Sequence, residues 1–211
     1  MKTLVIGASG RVGNSLTEKL LAKDHHVVGT TRKDKKLFDN KNYSQIELNL
    51  SSSVEEMEKQ FPSDIDAVFF VSGSRGEDLL QTDLHGAIKT MEVAEKKNAK
   101  RYIMLSTVFA TDTEKWSEIP ENMVDYYVSK HYADKWLMKN TNLDYTILQP
   151  SALKEEKGTG KIEINIDSAG ENSIEDVADT LIELLNNHST SKKVITMHSG
   201  EKKIKEALAE F

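Results

Sequence analysis

Thr3-Leu4-Val5-Ile6 is the first of a series of short apolar runs that alternate along the chain with stretches whose apolar residues recur at helical spacing. Runs of four or five apolar residues, without the polar alternation of a half-exposed strand, read as strands covered on both faces. The pattern predicts strands at 3–6, 26–31, 45–48, 67–71, 102–105 and 145–148. Between the first two, Val12, Leu16 and Leu20 fall on one face of a helix. Ser53-Val54-Glu55-Glu56 is a capping box that opens a short helix ending near Phe61-Pro62. A longer helix from about 79 to 99 aligns Leu80, Leu84, Ala87, Met91 and Ala94, and another runs from about 123 to 139. Beyond Pro150 the pattern loosens into a loop at Gly158-Thr159-Gly160, a strand at 161–166, a helix capped by Ser173, and a last strand and helix. Strands alternating with helices in this way build an α/β fold, a doubly wound parallel sheet with helices on both faces and a small C-terminal appendage.

Composition narrows the class. A length of 211 residues suffices for one α/β domain and is short for two. With 38% hydrophobic and 29% charged residues, and no apolar run approaching the roughly 18 residues of a membrane span, a water-soluble globular chain is expected. Met1-Lys2 lead straight into the first strand, which leaves no room for a targeting peptide and makes a cytoplasmic location the expectation. The absence of cysteine excludes disulfides, thiol catalysis and thiolate metal sites. The net charge of −6 is spread along the chain, and the runs Arg32-Lys33-Asp34-Lys35-Lys36 and Glu95-Lys96-Lys97 read as solvated surface, so no nucleic-acid partner is expected. Six histidines lack HExxH or similar spacing, and no metal is implied. No apolar stripe is plain enough to choose between monomer and homodimer.

Gly7-Ala8-Ser9-Gly10-Arg11-Val12-Gly13 follows the first strand directly and opens the first helix. In that setting the first glycine allows a tight turn, the second lets the backbone approach phosphate oxygens, and the third lets helix and strand pack closely. With 11 glycines in the chain, such a triple arises by chance only about 0.03 times, and this one sits in the required strand-to-helix context. The fold is therefore Rossmann-like, and Gly7, Ser9, Gly10, Arg11, Val12 and Gly13 are candidate contacts of a dinucleotide pyrophosphate. At the end of the second strand, where an acidic residue usually binds the adenosine ribose, Thr30, Thr31 and Arg32 occur instead. A guanidinium suits a 2′-phosphate, which favours NADP(H), while the nearby Asp34 leaves NAD(H) possible.

Tyr126-Tyr127-Val128-Ser129-Lys130 puts a phenol and an ammonium at i and i+4 on one helix face. A nearby cation favours the phenolate, so Tyr126 is a candidate proton donor to a substrate oxygen and Lys130 its activator. Six tyrosines and 24 lysines give about 0.7 such pairs by chance, so the weight rests on its position after the fifth strand. That strand ends in Ser106-Thr107, whose hydroxyls are candidates for holding the substrate oxygen. The segments 74–77, 109–121 and 153–160 are expected to border the cofactor's open side, with Trp116 either stacking on a planar substrate or packing under its loop, and Arg75 either meeting an anion or facing solvent.

GASGRVG at 7–13, Asn49-Leu50, Ser72-Gly73, DLHGAIKTMEVAEKKNAKRYIMLST at 83–107, YYVSK at 126–130 and Gln149-Pro150-Ser151-Ala152-Leu153 resemble the short-chain dehydrogenase/reductase superfamily. The likeness covers nearly the whole chain and is to its atypical NAD(P)-binding branch, which includes NmrA-like and biliverdin/flavin-reductase-like proteins. The resemblance implies that Asn49 and Leu50 lie beside the adenine, Ser72 and Gly73 beside ribose and pyrophosphate, Pro150, Ser151 and Ala152 near the nicotinamide, and that Lys130 also orients a ribose. Tyr126, Lys130 and Thr107 match the superfamily's Tyr, Lys and Ser/Thr positions. Asn49 stands where an aspartate is usual, and Gln149-Pro150-Ser151 where Arg-Pro-Gly is common. One domain over 1–211 is expected, the part after about 150 forming a small substrate-side subregion too short for a nucleotide-sugar domain. The implied function is an NAD(P)H-dependent oxidoreductase acting on a small carbonyl, quinone or flavin; the alternative is a non-catalytic NADP(H)-binding redox sensor.

Overall fold

A computed structural model describes residues 1–32 and 35–211. Its strands are β1 (Lys2–Ile6), β2 (His26–Thr30), β3 (Tyr43–Ile46), β4 (Ala67–Phe70), β5 (Arg101–Leu105), β6 (Tyr145–Pro150), β7 (Ala152–Lys154), β8 (Lys161–Ile164), β9 (Glu171–Ser173), β10 (Lys193–Ser199) and β11 (Lys202–Lys203). The helices are α1 (Arg11–Ala22), α2 (Val54–Gln60), α3 (Ala87–Lys96), α4 (Val124–Asn140), α5 (Ile174–Asn186) and α6 (Ile204–Leu208). Nine strands form one sheet in the order β3-β2-β1-β4-β5-β6-β10-β8-β11. From β3 to β10 every neighbouring pair is parallel, whereas β8 runs antiparallel to both β10 and β11. This is the doubly wound Rossmann-like arrangement, with the sequence order reversing across β1 and β4. Among the described residues no helix is long and apolar enough to cross a membrane.

Strand alternation distributes the apolar residues between two cores. Val5, Phe69, Ile103 and Leu148 pack with α1, α5 and α6, while Leu4, Ile6, Val68, Phe70, Tyr102, Met104 and Ile147 pack with α2, α3 and α4. Both faces of each strand are thus covered, which is why these strands read as continuous apolar runs. Each such side chain contributes roughly 1.5–3 kcal/mol by leaving water. The two caps form as the sequence suggests: Ser53 and Glu56 exchange side-chain-to-backbone hydrogen bonds, and the Ser173 hydroxyl accepts from Asp176 N at 2.9 Å.

Three differences from the sequence pattern have physical causes. The third strand comes two residues early because Tyr43 pairs with Val27, and Leu48 enters the core beyond the strand end. Leu80 is 67% exposed instead of lining the inner helix face. The segment Leu79–Gly86 is a π-helix, whose wider turn shifts the side-chain phase and brings Asp83 inward in place of Leu80. Beyond Pro150, β10, β8 and β11 extend the main sheet and only β7 and β9 form a separate parallel pair.

At the amino end of the sheet the buried Arg101 pairs with Asp144 at 2.8 Å and donates to Thr146, Thr190 and the carbonyl of Leu184. This network ties α5 to β5 and β6, while the carboxyl ends of the strands carry the groups described next.

Candidate active site

The turn after β1 is shaped by contacts that only glycine allows. Gly7 has φ +96°, and a Cβ there would lie 2.8 Å from Ser72 Cα. A Cβ on Gly13 would lie 2.1 Å from the Gly7 carbonyl oxygen, so α1 rests directly on the turn. Gly10 N donates to that same oxygen at 2.9 Å, Gly7 N donates to the Thr30 hydroxyl at 3.0 Å, and Ala8 N donates to Thr30 O at 3.2 Å. Gly10 is the N-cap of α1, contributes no side-chain cap, and is followed by no acidic residue in the first turn. An uncapped helix N-terminus free of carboxylates, behind a backbone pared down to glycine, fits the pyrophosphate of a dinucleotide.

A cleft of about 820 Å³ runs beside this turn, lined in part by Ser9, Gly10, Arg11, Arg75, Glu155 and Lys157. Arg11 spans it to Glu155 at 3.3 Å, an exposed pair. Val12 is buried against the sheet. Arg75 is exposed with a φ of +58°, and it borders the cleft as do 155–157. Arg32 is exposed just past β2, whereas Thr30 and Thr31 are buried; Asp34 lies outside the described residues. Asn49 is exposed and its side-chain oxygen accepts from Ser51 N at 2.9 Å, while Leu50 packs on the core. Ser72 is half-buried behind Gly7, and Gly73 is exposed next to Asp83.

The second half of the site lies where α4 crosses the ends of β5 and β6. Lys130 is 4% exposed and its Nζ sits 3.3 Å from Asp83 Oδ1, itself 1% exposed. Asp83 Oδ2 accepts from Ser74 N at 2.9 Å, which links this ion pair to the loop after β4. The Lys130 ammonium lies 5.7 Å from the centre of the Tyr126 ring. Burial pulls the Lys130 pKa down, but Tyr126, Asp83 and Asp134 outweigh it and hold the ammonium above its usual value, so the cation persists in the interior. Asp134, one turn further along α4 and fully buried, accepts from Ser106 Oγ at 2.7 Å and from Gln149 Nε2 at 2.8 Å.

Ser106 is therefore turned into the protein, its hydroxyl donated to Asp134, and not directed to a substrate oxygen as expected; the packing of α4 on the end of β5 decides this. Thr107 is half-buried beside the Tyr127 phenol, whose pKa burial pushes up. Trp116 packs under its own loop: its indole N–H donates to Phe109 O at 3.0 Å, and its ring meets Tyr127 and His131 edge-on. Pro150 is buried, and Ser151 serves the local fold, its N–H bonded to Met197 O and Asn172 Oδ1 and its hydroxyl accepting from Gly170 N. Ala152 is exposed. Among the described residues no group of three or more His, Asp or Glu side chains is placed to hold a metal ion.

The family described as NAD(P)H-binding matches residues 7–188, from the glycine turn through α5. The chain belongs to the NAD(P)H-binding family. This NAD(P)H-binding chain is 44% identical to an oxidoreductase, ylbE, from Lactococcus lactis, whose crystal structure it matches with a TM-score of 0.95 over 100% of this chain and 96% of the other. It is 35% identical to the uncharacterized sugar epimerase YhfK of Bacillus subtilis over 99% of each chain. It is also 36% identical to the UPF0659 protein YMR090W of Saccharomyces cerevisiae, covering 95% of this chain and 94% of that one.

Asp83, Asp134 and the Thr107–Tyr127 contact escape a reading by motif. Asp134 had a signal, since it continues the Tyr126, Lys130 series at i+4 on the same helix face. Asp83 had none, because its inward direction follows from a π-turn that apolar periodicity does not report.

Proposed function

We propose that the chain is an NADPH-dependent oxidoreductase that reduces a small carbonyl, quinone or flavin-type substrate. The observation that supports this most directly is the buried, charged Lys130 one helical turn from Tyr126, at the carboxyl end of β5 and on the same edge of the sheet as the glycine turn. When bound, the dinucleotide supplies a hydride to the substrate carbon. Tyr126 gives its phenolic proton to the substrate oxygen, and Lys130 stabilises the phenolate left behind. Thr107 holds the substrate oxygen. Gly7, Ser9, Gly10, Val12 and Gly13 would hold the pyrophosphate with Arg11 beside it, Arg32 the 2′-phosphate, Lys130 a ribose, and the neighbourhood of Asn49, Leu50, Ser72, Gly73, Pro150, Ser151 and Ala152 the rest of the cofactor.

The description of YhfK as a sugar epimerase gives a rival reading. Against it, the segments described after Pro150 are largely strands of the main sheet and the helices α5 and α6 packed on its core, and they do not form a separate lobe. The test is a calorimetric titration with NADPH and NADH, followed by NADPH oxidation against aldehydes, quinones and flavins and by product analysis of nucleotide sugars incubated with the protein and oxidised dinucleotide. Turnover with one of the first three classes is the expected result; turnover of nucleotide sugars alone favours the epimerase, and tight binding without any turnover favours the sensor. In the same titrations Arg32→Ala is expected to weaken NADPH by at least about tenfold and NADH by less than about twofold, because it removes charge-assisted donors to the 2′-phosphate alone. Equal losses would refute the NADP preference.

A further inference from the structure

Asp83 and Lys130 make a buried ion pair, and Asp134, also buried, lies one helical turn from Lys130 on the same face of α4. The two carboxyls differ. Each leaves its Oδ1 without a hydrogen bond, but Asp83 Oδ1 faces the ammonium at 3.3 Å and its Oδ2 accepts a backbone N–H, whereas Asp134 receives only the neutral donors Ser106 and Gln149, both on Oδ2. A buried carboxylate oxygen met by neither a donor nor a cation is costly, and taking up a proton lowers that cost by removing the charge, so Asp134 is the carboxyl of the two that favours protonation. We propose that Asp134 is a positioning residue whose protonation state sets the charge beside Lys130, and through Lys130 the pH range in which Tyr126 transfers its proton efficiently. The inference rests on the Tyr126–Lys130 reading above.

The groups that face Asp134 are few. Lys130 and Lys135 share its helix, and Asp83 and Tyr126 act across Lys130. β5 and β6 present Ser106 and Gln149, which do not titrate near neutrality, and α3 contributes Met91 and Ala94 to the shared core. Burial raises the Asp134 carboxyl from 3.8 to about 6, against the opposing pull of Ser106, Gln149 and Lys130. Below that pH Lys130 answers to a single carboxylate, Asp83, and its charge is available to the phenolate forming on Tyr126. Above it, a second carboxylate competes for the same cation.

Two measurements on wild type and Asp134→Asn test this, the variant keeping an acceptor for Ser106 and Gln149. The first reads the titration without any reaction. A carboxyl raised by folding stabilises the folded chain fully below the unfolded value and loses that contribution as pH rises through the folded one. Wild type is therefore expected to lose Tm relative to Asp134→Asn between about pH 4 and 6, by on the order of 5 °C; parallel curves overturn the proposal. The second is kcat/KM for NADPH oxidation from pH 5.5 to 7.5, expected to fall roughly three- to tenfold in wild type and to stay nearly level in the variant. A fall that Asp134→Asn retains also overturns it. Tyr126→Phe, run in the same series, isolates the underlying reading: full turnover there sinks the role of Tyr126 whatever Asp134 does.

Discussion

Tyr126→Phe is expected to lower turnover by about 10² to 10⁴, the range that a positioned general acid supplies. That loss corresponds to about 3–5 kcal/mol of transition-state stabilisation. The substitution removes one oxygen and keeps the ring, which packs edge-on against Tyr127 at 6.0 Å, so Tm and helix content should not change. Dinucleotide affinity should stay within about threefold, because the glycine turn and Arg32 are untouched. Steady-state kinetics with the best acceptor, paired with calorimetry on the same sample, separates the two quantities. Unchanged kcat with a carbonyl substrate would remove Tyr126 from the mechanism. With a flavin or quinone that accepts hydride directly, a smaller loss is expected, so the size of the effect also reports the substrate class.

Gly13→Ala should be the most damaging single methyl in the chain. The new Cβ would stand 2.1 Å from the Gly7 carbonyl oxygen and 3.0 Å from Ala8 Cα, both backbone atoms that cannot swing aside. Relief requires α1 to lift from the turn, which opens the contact between α1 and α5 and spoils the first-turn N–H groups at the same time. Overpacking of this kind is expected to cost upward of about 3 kcal/mol. For a chain of this size that is a fall in Tm of about 6–12 °C, with dinucleotide binding lost in parallel. Gly76→Ala is the control: its φ of +90° strains an alanine, but nothing lies within 4 Å of the added Cβ, so a penalty of only about 1 kcal/mol is expected. Equal Tm for the two variants, measured by thermal denaturation, would show that the close approach of α1 to the turn is not maintained in solution.

Most of the scaffold was legible because its strands are buried on both faces and its glycine turn depends on local geometry. Val5 and Leu4, or Ile103 and Met104, advertise by apolarity alone that both sides of the sheet are covered. The third strand was less legible because Tyr43-Ser44-Gln45-Ile46 is only partly apolar, an edge-strand composition that blurs its limits. In the site, Tyr126 and Lys130 could be paired from their spacing, since an α-helix converts i, i+4 into adjacency. Whether a hydroxyl at the end of a strand faces the cleft or the interior cannot be read that way. Ser106 and Thr107 are neighbours of the same chemistry, yet one donates to the buried Asp134 and the other lies beside the half-buried Tyr127. That choice is made by α4, 28 positions further along the chain for the Ser106–Asp134 bond.

The π-helix at Leu79–Gly86 has a meaning beyond the rotation of one leucine. A wide turn is less regular than an α-helix and exposes Leu80 to water, so nothing in the economy of folding selects it. Shortening the segment by one residue is expected to restore regular helical hydrogen bonding and to swing Asp83 away from Lys130. The irregular turn is thus what aims Asp83 at Lys130.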